Sequence, residues 1–310
     1  MKQRPTPTPA LRKEERKALE AFRTGRQTLA DAPEFLFRLA RQHNVAASLA
    51  AIASERGQYV PQIWRHRLRQ LRAQQLTVRP HLDRLARRLN RLGRPWFAAR
   101  GWARIYDPVL PVRPMGDLDI YMTLEHLEDL DQVIDGDWRH DPRNGRDGLA
   151  TRKFIDSSGI LPPLDGHGAL SWFGSADPVS MHRYLSRRRQ IDGCWLASPE
   201  DDFAIALAEA LVDSSQRSLR RIWELQGLAE RLDEDVLKQV YTNMDLKPVA
   251  WRQIESRLGH PGWRRPAVMR AAWNWLRASR SPLRTALRLS PMMLRLLGAK
   301  IGRKSSGNRS

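Results

Sequence analysis

An α+β fold, with a small mixed sheet flanked by helical regions on its N- and C-terminal sides, is predicted for this 310-residue chain. Three observations predict it. Apolar residues recur at helical spacing up to about residue 92 and again beyond residue 198; short β-rich runs broken by Gly, Pro and Asp clusters fill the stretch between; and 41% hydrophobic residues with 11 Trp exclude a disordered basic polypeptide. At roughly 150 residues per domain the length suits about two domains. The expected division is a flexible basic N-terminus (1–25), an N-terminal helical region (26–93), a mixed-sheet core (94–196), a C-terminal helical domain (197–302) and a flexible tail (303–310).

The start is rich in Pro and Thr (Pro5, Pro7, Pro9). Leu29, Phe35, Leu36, Leu39, Ala40, Val45, Leu49 and Ile52 then repeat at a helical period, which predicts two or three helices. Gln62 to Leu92 is another helix: Ile63, Leu68, Leu71, Leu76, Leu82, Leu85, Leu89 and Leu92 form an apolar stripe, the positions between are mostly Arg, and Pro80 marks a place to bend. PWFAA, DLDIYM, TRKFI and ILPPLDGHGAL are the strand candidates from Pro95 to about Trp172, with LEHLEDLDQVI a short helix between the second and third. Helices return at Ser198-Pro199-Glu200-Asp201, where a serine N-cap, a proline in the first turn and acids at the positive dipole end form a start signal. DDFAIALAEALVDSS and RRIWELQGLAERL follow, with further helices expected at 235–258, 265–279 and 282–301.

The net charge of +19 is polarised. Residues 1–100 carry +15 (22 basic, 7 acidic), 101–180 carry −7 (7 and 14), 181–240 carry −2 (9 and 11) and 241–310 carry +13 (15 and 2). Basic flanks around an acidic middle fit a polyanion held by the flanks and divalent cations held by the middle. The single cysteine, Cys194, excludes an intramolecular disulfide framework and any multi-cysteine zinc site, and reads as inert. With no signal-peptide core and no transmembrane-length apolar run, a soluble, cytoplasmic setting is expected; the basic, one-sidedly apolar 282–301 segment allows peripheral contact with a membrane surface. P-loop, H-E-x-x-H and dinucleotide fingerprints are absent.

The chemistry concentrates in AARGWARIYDPVLPVRPMGDLDIYM (98–122). Strand alternation sends Asp117, Asp119 and Tyr121 to one face and Leu118, Ile120 and Met122 to the other, so the apolar trio faces a core and the carboxylates share the open side. Two carboxylates ~6.6 Å apart along a strand can share divalent ions in a two-metal phosphoryl-transfer site. Gly116 precedes that strand. At Arg100-Gly101 a glycine-containing strand-to-helix turn lets backbone approach a phosphate, and Arg100 or Arg113 supplies a charged fork for a triphosphate. A third carboxylate is expected from a neighbouring strand, Asp165 in LDGHGAL or its rival Asp156 in FIDSSG, with Asp165 in the more strand-like stretch. His167 reads as a packed or hydrogen-bonded strand histidine, and Trp102, Trp172, Trp195 and Trp223 as core or interface residues.

Taken in order, LARQHNVAASLA (39–50), ARGWARIYDP (99–108), RPMGDLDIYM (113–122), PLDGHGAL (163–170) and SPEDDFAIALAEAL (198–211) resemble the uncharacterised bacterial nucleotidyltransferase family of the DNA polymerase beta-like superfamily, over roughly residues 30 to 235. The resemblance implies a nucleotidyltransferase core in which Asp117, Asp119 and Asp165 are catalytic metal carboxylates for Mg2+ or Mn2+. It places Gly101 and Gly116 beside the phosphates, Arg100 at the family's lysine position and Arg113 at its arginine. Gly166 departs from the pattern by replacing an apolar residue, and Gly101-Trp102 replaces the superfamily's Gly-Ser pair. The implied activity is transfer of an NMP from an NTP to an acceptor hydroxyl on RNA, protein or a small molecule. The basic flanks favour RNA or another polyanionic acceptor. An inactive accessory protein binding RNA or a membrane surface is the alternative.

Overall fold

The computed structural model describes residues 13–107, 115–134, 136, 138–141, 151–156, 158–170, 180–212, 219–247, 275–277 and 279–287. Four helices come first: α1 (Lys13–Thr24), α2 (Glu34–Gln42), α3 (Ala46–Glu55) and α4 (Gln62–Arg91). Helix α1 corrects the expectation of a flexible terminus through residue 25. Leu19 and Phe22 lie three apart on one face and are buried against α2 and α3, but two core residues in a charged twelve-residue segment leave little periodicity to read.

Helix α4 runs unbroken through Pro80. Pro80 cannot donate to the Leu76 carbonyl four residues back, and both residues are exposed, so the carbonyl is left on the solvent side of the helix. At its end Gly93 takes φ +66, a left-handed stop that glycine adopts without steric cost. The helix joins two cores. Trp64 and Leu68 pack with α1–α3, whereas Val78, Leu82, Leu85 and Leu89 pack with the sheet. Helix α9 (Leu219–Ala229) straddles the same two cores, with Leu219, Ile222 and Trp223 in the first and Leu225 and Leu228 in the second.

Among the described residues the sheet has seven strands: β1 (Trp96–Ala99), β2 (Leu118–Met122), β3 (Trp138–His140), β4 (Thr151–Asp156), β5 (Leu164–His167), β6 (Arg189–Ile191) and β7 (Cys194–Leu196). Their order is β3-β4-β5-β2-β1-β7-β6, with β2–β5 and β1–β7 parallel and the other pairs antiparallel. The mixed sheet is as expected, although β3, β6 and β7 were not anticipated. A signal for β6–β7 was present: Asp192-Gly193 takes φ +50 and +78, the left-handed pair that closes a two-residue hairpin.

LEHLEDLDQVI is not one helix but a 3-10 segment (Leu124–Asp129) followed by the single turn α6 (Leu130–Val133). Leu127, Leu130 and Val133 are buried at three-residue spacing, which a 3-10 winding keeps in line. This segment explains Gly166. A Cβ there would lie 2.3 Å from Leu130 Cδ1 and 3.2 Å from Leu127 Cδ1, so the missing side chain is the space in which the segment sits. Gly166→Val is expected to cost about 3 kcal/mol by overpacking, read as an earlier midpoint in denaturant unfolding.

Helices α5 (Ala103–Tyr106), α7 (Met181–Arg187), α8 (Pro199–Val212) and α10 (Glu234–Asn243) complete the named elements. The Ser198 start signal is observed, its Oγ accepting from the Asp201 N–H at 3.3 Å. Expected helices at 235–258, 265–279 and 282–301 are described only in part, and Trp172 lies outside the described residues. Cys194 is fully buried, and burial pushes its thiol well above the usual range. A thiol-alkylating reagent at pH 8 is therefore expected to label it only after unfolding.

Candidate active site

Register brings the carboxylates together. On parallel neighbours β2 and β5, Asp119 is paired with Asp165, which in turn faces Lys153 of β4; Ala99 of β1 completes the row. The next row on the same face is Phe97, Tyr121, His167 and Thr151. Asp117 lies two residues before Asp119, so alternation returns it to this face. The other face carries Leu118, Ile120, Met122 and Leu164, all fully buried.

The carboxylate face is not open at its centre. Asp119 is 5% exposed and Tyr121 1%, so both faces of β2 are covered, unlike the solvated side that alternation alone suggested. Burial first, then the neighbouring Asp117, pushes the Asp119 carboxyl up to about 6, against a hydrogen bond from His167. That bond joins His167 Nε2 to Asp119 Oδ1 at 3.0 Å. Burial of the ring works against its charge, but the contact with Asp119 holds the imidazole above its ordinary value. The ring is further fixed by a ladder across three strands: Phe97 stacks on Tyr121 at 5.1 Å and Tyr121 on His167 at 4.8 Å. The expectation of a packed, hydrogen-bonded histidine holds.

Lys153 Nζ donates to Asp165 Oδ2 at 3.1 Å. Burial raises the Asp165 carboxyl although Lys153 opposes it. Asp165 Oδ1 is buried with no hydrogen-bond partner. The rival Asp156 is engaged elsewhere: it accepts from the Ser158 N–H and hydroxyl and from the Leu161 N–H, which ties the turn after β4.

Arg100 stands where sequence reasoning did not place it. It takes φ +59, costly for a residue with a Cβ, and its guanidinium is 3% exposed. Its N–H donates to Asp202 Oδ1 at 2.9 Å; Nη1 meets Glu209 Oε2 at 2.9 Å and Nη2 meets Glu224 Oε2 at 3.6 Å. Burial opposes the charge, but Glu209 and Glu224 hold its protonated form. Arg104 repeats the pattern with Asp202 at 2.5 Å and Glu224 at 3.3 Å. The turn after β1 is thus clamped to α8 and α9. Gly101 is buried within it, and α5 beyond is a single turn. Gly116 is exposed, with nothing within 4 Å of a would-be Cβ. Arg113 lies outside the described residues.

Three residues were missed as parts of this site. Lys153 is inconspicuous inside TRKFI until register puts it opposite Asp165. Glu209 and Glu224 are ordinary helix acids until packing turns them onto Arg100. Among the described residues, no group of three or more His, Cys, Asp or Glu side chains converges closely enough to hold a metal ion as it stands. Asp119 and Asp165 instead each satisfy one oxygen on a neighbour.

A family model described as uncharacterised nucleotidyltransferase matches residues 30–267, more than half of the chain. The chain belongs to that family. The matched span holds all three carboxylates and the helices α8 and α9. No curated protein matches the chain. Among solved structures, JHP933 from Helicobacter pylori is similar at 14% identity, over 76% of this chain and 98% of that one, with a TM-score of 0.34. Family membership places the chemistry of this nucleotidyltransferase among NMP transfers from an NTP. Among the described residues no helix is long and apolar enough to cross a membrane.

Proposed function

We propose that this nucleotidyltransferase moves an NMP from an NTP onto an acceptor hydroxyl, forming the O–Pα bond as the α–β phosphoanhydride breaks and pyrophosphate leaves, at the Asp117, Asp119 and Asp165 face of the sheet. The observation that carries this reading is the register pairing of Asp119 with Asp165 on adjacent parallel strands, with Asp117 on the same face. Divalent-cation binding fits the donor set: three carboxylates share one face, and the buried, unpartnered Asp165 Oδ1 lacks a positive ligand. Asp117, Asp119 and Asp165 would hold Mg2+ or Mn2+, which when bound supplies charge neutralisation for the triphosphate and acidifies the acceptor hydroxyl.

The chain's own groups do the rest. Lys153 fixes Asp165 through Oδ2, which leaves Oδ1 as the oxygen for the cation. His167, held by the ring ladder, orients Asp119. Arg100 acts as a positioning residue, its ion pairs fixing the backbone of the Arg100-Gly101 turn. Gly101, Gly116 and Arg113 are assigned to the triphosphate. The test is incubation with NTPs radiolabelled at the α-phosphate, Mg2+ and total RNA and protein extracts. Label is expected in a macromolecular or small-molecule product; no label in any fraction, together with no nucleotide binding, overturns the reading.

A further inference from the structure

Helix α4 has a second character that the sheet does not use. Its thirty residues contain nine Arg, no Lys and a single acid, Asp83, which accepts from the Tyr106 hydroxyl. The buried side, Trp64 to Leu89, packs into the two cores. On the outer side Arg65, Arg69 and Arg72 follow at i, i+4 and i+7, and Arg87 and Arg91 at i and i+4, all five exposed. The fifteen residues from Arg72 to Arg87 are close to four turns, so both clusters share one side of the rod, ~22 Å apart at 1.5 Å per residue. Arg69, Arg72, Arg87 and Arg91 have no carboxylate at ion-pair distance among the described residues. At the head of the helix Tyr59 is 65% exposed, with the Arg65 guanidinium 6.0 Å from its ring centre.

From this surface we infer that α4 is a docking rail for a folded RNA. Outward-facing guanidinium groups in two clusters, four of them without a carboxylate partner among the described residues, match phosphates of a sugar–phosphate backbone, which Arg binds through paired N–H donors. The exposed Tyr59 backed by Arg65 is a stacking platform for an unpaired base, which folded RNA presents and a B-DNA duplex does not. The choice of RNA over other polyanions rests on the nucleotidyltransferase reading, since a polynucleotide carries both the phosphates and an acceptor hydroxyl. The rail and the carboxylates lie on opposite sides of the sheet: α4 packs against α6 and β7, and the α6 segment covers Gly166 on the face away from Asp165. The rail therefore holds the body of the RNA and takes no part in the chemistry.

The test is fluorescence anisotropy of the full chain with a fluorescein-labelled RNA hairpin bearing a single-stranded 3′ overhang, without NTP, so the result stands whether or not the chain transfers nucleotides. R69Q/R72Q/R87Q/R91Q is expected to weaken binding on the order of a hundredfold near 0.15 M salt and to flatten the log K against log salt slope by about 3. Tyr59→Ala is expected to lose roughly a further tenfold. Unchanged thermal unfolding of both variants confirms that exposed groups alone were removed. RNA binding by the quadruple variant equal to wild type overturns the proposal. Equal affinity of wild type for a DNA duplex of the same sequence, or tighter binding to phosphatidylserine vesicles than to RNA, overturns it as well.

Discussion

Asp119→Asn is expected to lower nucleotide transfer by about a thousandfold or more while leaving the protein at least as stable as wild type. On the proposed function, the activity loss follows from removing one negative charge from the carboxylates that would hold the cation, worth several kcal/mol of charge stabilisation in the transition state, at about 1.4 kcal/mol per tenfold in rate. The stability result follows from burial. Asp119 is 5% exposed and sits beside Asp117, so its ionised form is held against both desolvation and repulsion. Asparagine has the same shape, keeps an oxygen that accepts from His167 Nε2, and carries no charge to desolvate. Transfer assays and thermal unfolding on the same preparation decide it. A stable Asp119→Asn with wild-type turnover removes Asp119 from the chemistry, and a destabilised one shows that its charge serves the fold.

Arg104→Ala is expected to be the most destabilising single change among the described ion pairs, by about 3–5 kcal/mol. The side chain is fully buried between Asp202 and Glu224, whose own side chains are 2% and 4% exposed. Truncation would leave two carboxylates without that partner in a low-dielectric site, and the cost is their desolvation rather than the lost attraction. Because a domain's total stability is about 5–15 kcal/mol, the variant would be partly unfolded at 37 °C. Arg104→Ala/Asp202→Ala should cost less than the sum of the two single changes, since the second removes a charge that the first strands. Denaturant unfolding of the three variants measures this coupling; strict additivity would show that the pair contributes independently.

The two results locate different parts of one device. Arg104 and Arg100 hold the turn after β1 to α8 and α9 through Asp202, Glu209 and Glu224, and Glu209 of α8 acts electrostatically on Asp119. The proposed function needs carboxylates kept under repulsion, and the clamp holds the neighbouring turn to α8 and α9. Such placement of costly charge at a site, with the compensating pairs beside it, is the usual exchange of stability for chemistry.

Much of this was legible in the sequence where the deciding interactions are local. The alternation of DLDIYM is set by strand geometry, so Asp117 and Asp119 could be placed on one face and Leu118, Ile120 and Met122 in the core without knowing any partner. The apolar stripe of α4, apart from the exposed Ile63 and Leu76, and the Ser198 cap of α8 are equally local, and both elements begin where the residues said. Short strands such as β3 and β7 carry too few residues for a period to show, and α1 hides its two core residues among charges.

What tertiary structure alone decided is which side chain meets which. Asp165 rather than Asp156 stands beside Asp119 because β5, not β4, lies next to β2. Lys153 joins it through a register fixed by the β4–β5 pairing, and Arg100 turns inward because Glu209 and Glu224, more than a hundred residues away, reach the same spot. A residue's type fixes what it can bind and its local period fixes which way it points. The partner it finds depends on packing between distant segments, which no local pattern encodes.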